Sequence, residues 1–410
     1  MRGTHSPAAM DFPILRTQPG ERPLAYLDNA ATTQKPEAVI RRLADYYSRE
    51  NANIHRGGYP LSLRAEQLYE QARRRVQGWL GAASPREVVF TRSSTEGLNL
   101  LAHAGLEAWA GPGDNVVVTE LEHASNYYPF QRQCAVRQVE FRVAAARRDG
   151  SLDPEAVEAL LDGRTKLVSV TAMSNVTGFR PDLKAVIRAA HRVGARVAVD
   201  ASQEIAHHRV DVGALDCDFL CFSGHKVYGP TGCGVLYGKE EVLAQLPPWL
   251  YGGGMLERAG PGGTAWKDGP DRFEAGSPDV ASVLGLSAAL DYLDGKGVSA
   301  LFAYEAELAR YLRERLGAVP GVRLHGPDCP SPILTFSVEG WAAYDVGVLL
   351  GRAGVAVRCG AHCAYPLMER MGLDGSCRVS LGIYNSAADV DALAGELERM
   401  GRTGYVYSSP

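Results

Sequence analysis

Apolar residues along this chain fall into two alternating patterns. Short unbroken runs are rich in β-branched and aromatic residues: Val88-Val89-Phe90, Val116-Val117-Val118, Leu167-Val168-Ser169-Val170, Val197-Ala198-Val199 and Phe219-Leu220-Cys221-Phe222. Most are separated by stretches of helical spacing, such as 95–110, 154–161 and 183–193. Ahead of them, 36–50 reads as a helix with Pro36 at its first turn and Val39, Ile40, Leu43, Tyr46 and Tyr47 on one side. Leu68, Ala72, Val76, Trp79 and Leu80 mark a second helix, closed by Gly81. The pattern changes after about residue 247, where Gly252-Gly253-Gly254 and Gly260-Pro261-Gly262-Gly263 predict an irregular region. A long helical region over 280–316 follows, then strands at 322–324, 333–336, 355–357 and 378–381 with helices between.

Apolar strands divided by crossover helices predict an α/β fold whose central sheet is mainly parallel and buried on both faces. The tail predicts a smaller α+β domain. The expected organisation is a Pro-rich arm over 1–23 packing on the small domain, a large domain over 24–290 and a small C-terminal domain over 291–410.

Composition narrows the function classes. The chain has 410 residues, 46% hydrophobic and 22% charged, an ordinary globular balance. With 43 Lys and Arg against 47 Asp and Glu there is no basic excess to favour nucleic acid. No apolar run approaches the roughly 18 residues of a membrane span. Eight cysteines are too sparse for a disulfide framework, and Cys217, Cys221 and Cys233 sit in apolar or Gly-rich runs that suit small buried thiols. The arm lacks the apolar stretch of a signal peptide, so a cytoplasmic setting is expected.

Ligands of a parallel α/β sheet bind beyond the carboxyl ends of its strands. After Val88–Phe90 comes Thr91-Arg92-Ser93-Ser94-Thr95-Glu96-Gly97, hydroxyl residues opening a helix and a candidate anion cradle. After Val197–Val199 comes Asp200, an acid that needs a cation partner if buried. After Phe219–Phe222 comes Ser223-Gly224-His225-Lys226, a lysine in a tight turn whose desolvation would make it an amine nucleophile. Pyridoxal phosphate needs these three things together: a phosphate site, an acid for its ring nitrogen and a lysine for its aldehyde.

Asp200 to Gln203 followed by Ser223-Gly224-His225-Lys226 resembles the class V aminotransferases, which are fold type I pyridoxal-phosphate enzymes. Tyr26-Leu27-Asp28-Asn29-Ala30-Ala31, His55-Arg56-Gly57, Glu122-His123, Ser174-Asn175-Val176-Thr177-Gly178, Arg272-Phe273-Glu274-Ala275-Gly276 and Tyr344-Asp345-Val346 match as well. With Val357-Arg358-Cys359-Gly360-Ala361-His362-Cys363-Ala364 the chain resembles cysteine desulfurases of the SufS type over about residues 24–400. The resemblance implies that Lys226 holds the cofactor and moves the substrate α-proton, Asp200 pairs with the ring nitrogen, Gln203 meets the ring hydroxyl and His123 stacks on the ring. It implies Ser94, Thr95, Ser223 and His225 as phosphate ligands, joined by Ser277 from the neighbouring subunit of a homodimer. Asn175, Arg358, His362, Arg378 and His55 are implied for the substrate, L-cysteine. Cys363 would accept its sulfur as a persulfide and pass it to a SufE- or SufU-like acceptor for iron–sulfur cluster assembly.

Four positions depart from the usual pattern. Cys359 stands where Thr is common, Ala361 replaces a His, and Ala124-Ser125 follows His123 in place of His-Ala. Cys359 raises the expectation of a second sulfur carrier or of a Cys359–Cys363 disulfide. The alternatives are a selenocysteine lyase, a cysteine-sulfinate desulfinase or a carbon–sulfur lyase of specialised biosynthesis, and a carrier thiol favours the desulfurase over these. Cys359, Cys363, Cys377 and His362 lack the paired spacing of a zinc ribbon, so no metal site is expected.

Overall fold

A computed structural model describes residues 6, 8–17, 23–55, 57–260 and 262–403. Readings that rest on Pro7, Pro19, Arg56 or Pro261 lie outside them. The central sheet has seven strands: β1 (Val88–Thr91), β2 (Asn115–Thr119), β3 (Glu140–Ala144), β4 (Thr165–Thr171), β5 (Arg196–Asp200), β6 (Phe219–Ser223) and β7 (Gly234–Gly238). Their order is β1-β7-β6-β5-β4-β2-β3. The run from β6 through β5, β4 and β2 to β3 is parallel, and β7 alone runs against both of its neighbours. Val116, Val117, Val118, Val197, Val199 and Phe219 are fully buried, as a sheet covered on both faces requires. The fold is the α/β arrangement the sequence predicts.

A hairpin follows, β8 (Leu256–Gly260) with β9 (Gly263–Trp266), in the Gly-rich stretch read as irregular. Gly263, where β9 begins, takes a positive φ. A second sheet of four strands holds β10 (Val322–His325), β11 (Ile333–Val338), β12 (Arg358–Gly360) and β13 (Ser376–Ser380), in the order β10-β11-β13-β12 and antiparallel throughout. Leu308, Leu312, Phe336, Leu350, Cys377 and Val379 build a separate core beneath it. Phe12 of the arm packs against Tyr228, Tyr292 and Tyr384 and joins the larger core, while Ser6 Oγ donates to the Ile383 carbonyl.

Helical phase departs from the sequence reading in three places. Helix Glu37–Asp45 widens into a π turn over Tyr46–Glu50, where Tyr46 is buried and Tyr47 exposed, and Ile40 is already exposed on the regular helix before it. The stretch 95–110 is likewise divided, by a π turn at Leu101–Gly105. The long helix over 280–316 is two, Val280–Gly295 and Val298–Gly317, broken where Gly297 adopts a positive φ.

One buried ion pair ties these layers together. Arg73, on helix Pro60–Leu80, grips Glu274 with Nη1–Oε1 at 2.7 Å and Nη2–Oε2 at 2.9 Å. Glu274 also accepts from Tyr69 Oη at 2.9 Å and from the Phe90 amide of β1 at 2.7 Å. Both side chains are nearly sealed from solvent, so removing one strands the other charge. Glu274→Ala is expected to cost about 3–5 kcal/mol in urea unfolding; a loss below about 1 kcal/mol would contradict this account.

Candidate active site

The parallel strands deliver their carboxyl ends to one cleft, lined by Ser94, Thr95, His123, Asn175, Asp200, Gln203, Ser223, His225 and Lys226. Arg358, His362 and Arg378 close it from the second sheet. Asp200 and Ser223 are the last residues of β5 and β6, and the Lys226 turn follows β6 directly. Gly234 of β7 makes room for the β1 turn. A Cβ there would lie 2.5 Å from the Ser93 backbone, so only glycine lets Ser94 reach the cleft.

The cleft carries a positive excess. Burial lowers Lys226 to about 8, opposed chiefly by the Asp200 carboxylate and reinforced by Arg378 and Arg358. Burial, with the Lys226 charge next, lowers His123 to about 4. Burial also lowers His225 to about 4 and His362 to about 3. All three imidazoles are therefore neutral near pH 7. His123 Nδ1 accepts from the Ser125 amide at 3.2 Å, which leaves the ring proton on Nε2.

The cysteine loop is latched from the large-sheet side. Cys363 O accepts from the Ala124 amide at 2.7 Å, and His362 O accepts from Asn175 Nδ2 at 2.8 Å. His362 Nε2 lies 2.9 Å from Ser376 Oγ. His362 and Cys363 take φ of 53° and 58°, two successive non-glycine residues in the left-handed region. Arg358 Nη2 is 3.4 Å from Cys363 Sγ, a charge partner for a thiolate.

Buried polar atoms in the cleft lack protein partners: Asn175 Oδ1, Ser202 Oγ, His225 Nδ1, His362 Nδ1 and Arg378 Nε. Such groups are costly to leave unpaired, so the cleft is built for a polar ligand. The donor set fits pyridoxal phosphate: hydroxyls at a helix start and His225 for a phosphate, the Asp200 acid for a ring nitrogen, the Lys226 amine for an aldehyde, and the Gln203 amide. Part of the expected anion cradle is already engaged, because Ser94 N donates to Ser223 Oγ at 2.8 Å and Thr95 Oγ1 is paired with Ser125 Oγ at 2.8 Å.

Three expected site residues are not among those that line this cleft: Cys363 adjoins it through Arg358, while His55 and Ser277 lie away from it. His55 faces Glu66 at 3.5 Å from a left-handed turn before helix Pro60–Leu80. Ser277 lines a different cavity with Tyr69, Phe90, Trp249 and Glu274. Neither reaches the cleft of its own chain. Other contributors were passed over. Asp28 is the counter-ion of Arg378 at 3.3 Å. Lys35 Nζ donates to the His225 carbonyl at 2.9 Å and steadies the lysine turn. Asp28 stood in a quoted motif without a role, and Lys35 carried no signal of its own.

The chain matches the model of the family described as aminotransferase class-V over residues 25–393. A cysteine desulfurase of Dickeya dadantii (strain 3937) is 47% identical over 393 residues, covering 96% of this chain and 95% of that protein. The crystal structure of the Escherichia coli cysteine desulfurase CsdA superposes with a TM-score of 0.89 at 36% identity, over 95% of this chain and 96% of the other. The apo cysteine desulfurase of Thermococcus onnurineus NA1 gives 0.91 at 33% identity, over 98% and 99%. The chain belongs to the class V aminotransferase family, among its cysteine desulfurases.

The electrostatics predict a reactive lysine. Acylation of Lys226 in cofactor-free protein should have its midpoint near pH 8. Asp200→Asn should move that midpoint down by about one unit or more, because the carboxylate favours the ammonium. A midpoint in the ordinary lysine range would contradict the assignment.

Proposed function

We propose that the protein converts L-cysteine to L-alanine with pyridoxal phosphate as cofactor, leaving the sulfur as a persulfide on Cys363. The observation that carries this reading is the Cys363 thiol, latched on a strained loop beside Arg358 at a cleft floored by Lys226 and Asp200.

Bound in this cleft, the cofactor supplies an electron sink for the substrate's α-carbon. Lys226 would hold it through its amine, Asp200 would pair with the ring nitrogen, and Ser94, Thr95, Ser223 and His225 would bind the phosphate. Gln203 Nε2 donates one hydrogen to the Ala30 carbonyl at 2.9 Å and keeps the other for the ring hydroxyl. His123 would lie against the ring and offer its Nε2 proton to the reacting groups. Arg378 Nη1 donates to Asn175 O at 2.8 Å and Nη2 to Asp28, so its partnerless Nε edge receives the substrate carboxylate. The Lys226 amine, with its lowered basicity, takes the α-proton and returns one to the product. The Cys363 thiolate then attacks the substrate sulfur. The S–S bond forms, the C–S bond breaks, and its electron pair remains with the carbon fragment that becomes alanine. Arg358 stabilises the thiolate before attack.

The reading extends to a SufS-type enzyme, a cytoplasmic homodimer that hands sulfur to a SufE- or SufU-like acceptor for iron–sulfur cluster assembly. Ser277 and His55 would serve the partner's cleft; exposed Tyr59, Leu61 and Leu63 follow His55 in sequence, and exposed Leu250 lines the same cavity as Ser277. No described helix is long and apolar enough to cross a membrane.

Alanine formation from L-cysteine with a reductant tests the reading. Cys363→Ala should lower it roughly 100-fold or more, whereas turnover that survives would favour a lyase that releases sulfur or selenium directly. Arg378→Lys keeps the charge but loses the planar fork. It should raise KM for L-cysteine about 10–100-fold with a smaller change in kcat, and an unchanged KM would remove Arg378 from the carboxylate site.

A further inference from the structure

In β12 and β13, residues Arg358 and Arg378 are directly opposed, and Cys359 and Cys377 form the next opposed pair. Side chains alternate across a strand, so the arginines line the cleft while the cysteines face the smaller core. Their Sγ atoms lie 3.6 Å apart. Helix Ala343–Arg352 covers them: Cys377 Sγ is 3.4 Å from the Ala343 carbonyl, and Gly347 offers its N–H to Cys359. A Cβ at Gly347 would stand 2.5 Å from Cys359 Sγ, so the glycine is what leaves room for the sulfur. Cys363 Sγ is on the cleft side with Arg358, which turns the expected Cys359–Cys363 pairing into a Cys359–Cys377 pairing.

We propose that Cys359 and Cys377 are a redox-modification site, in which a peroxide-class oxidant converts the two thiols to a disulfide and slows turnover by shifting Arg358 and Arg378. Directly opposed antiparallel residues have Cα atoms about 4.5–5.5 Å apart, inside the range a disulfide spans. Cys359 is partly exposed and Cys377 is sealed, so the oxidant meets Cys359 first. The hydrogen bond between the thiols lowers Cys359 below its ordinary range and raises Cys377, which matches an attacking and a resolving thiol.

The chemistry balances without a further reactant. Cys359 sulfur attacks a peroxide oxygen, the O–O bond breaks, and a sulfenic acid and one water result. Cys377 sulfur attacks that sulfenic sulfur, the S–O bond breaks and a second water leaves. The two thiols lose two electrons, and hydrogen peroxide becomes two waters. The sulfurs must close from 3.6 Å to about 2.05 Å, and each cysteine is peptide-bonded to a cleft arginine. The movement therefore reaches Arg358 and Arg378, and through Arg358 the Cys363 thiol.

The effect on turnover rests on the proposed activity, and the cross-link does not. Holoenzyme treated with mild hydrogen peroxide is mapped by non-reducing peptide mass spectrometry and assayed for alanine formation before and after dithiothreitol. The expected result is a Cys359–Cys377 linked peptide with activity reduced about ten-fold or more and restored by dithiothreitol. Cys359→Ser, and independently Cys377→Ala, should keep most of their activity through the same treatment. No linked peptide, a linked peptide with unchanged turnover, or equal loss in the variants would overturn the proposal. Reduced enzyme that makes no alanine would count against the activity, while the peptide map alone would still decide the disulfide.

Discussion

An excess of buried positive charge governs this molecule's site. Lys226, Arg358 and Arg378 converge on one cleft, opposed by Asp200 and Asp28. Burial and mutual repulsion lower Lys226 to about 8 and, with Asp28 opposing, lower Arg378 to about 10. Burial, reinforced by these charges, keeps His123, His225 and His362 neutral. A cleft with this balance favours an anionic ligand, and phosphate and carboxylate groups relieve the strain that the protein's own carboxylates leave.

The fold makes that convergence unavoidable. Parallel strands end on one edge, so β4, β5 and β6 present Asn175, Asp200 and Lys226 together. The second sheet adds its arginines through one antiparallel rung. The two cores are then joined at the cleft itself, by Ala124 N to Cys363 O and by Asn175 Nδ2 to His362 O. The Cys363 loop is thus held by the residues after β4 and by the helix start after His123, and its left-handed backbone persists because both sides hold it.

Much of this was legible in the linear sequence, for identifiable reasons. Buried parallel strands leave unbroken apolar runs, and the residues after each run marked Ser94, Asp200 and Lys226 without any structural input. What stayed hidden depends on pairing partners. The antiparallel course of β7, the β8–β9 hairpin and the break at Gly297 are set by tertiary pairing and single glycine conformations. The π turn at Tyr46–Glu50 shifts helical phase by a residue, which periodicity cannot register. His55 and Ser277 appear as site residues by motif but sit away from the cleft of their own chain. Asp28, Lys35 and Ser125 act through individual hydrogen bonds and ion pairs, and such contacts have no spacing rule.

The most direct measurement follows the sulfur itself. Holoenzyme is given a single equivalent of L-cysteine without reductant, and the peptide spanning the cysteine loop is sequenced by fragmentation mass spectrometry. The account predicts one additional sulfur atom on Cys363, with an equal amount of alanine. Sulfide in solution with Cys363 unmodified, or the extra sulfur on Cys359, would contradict it.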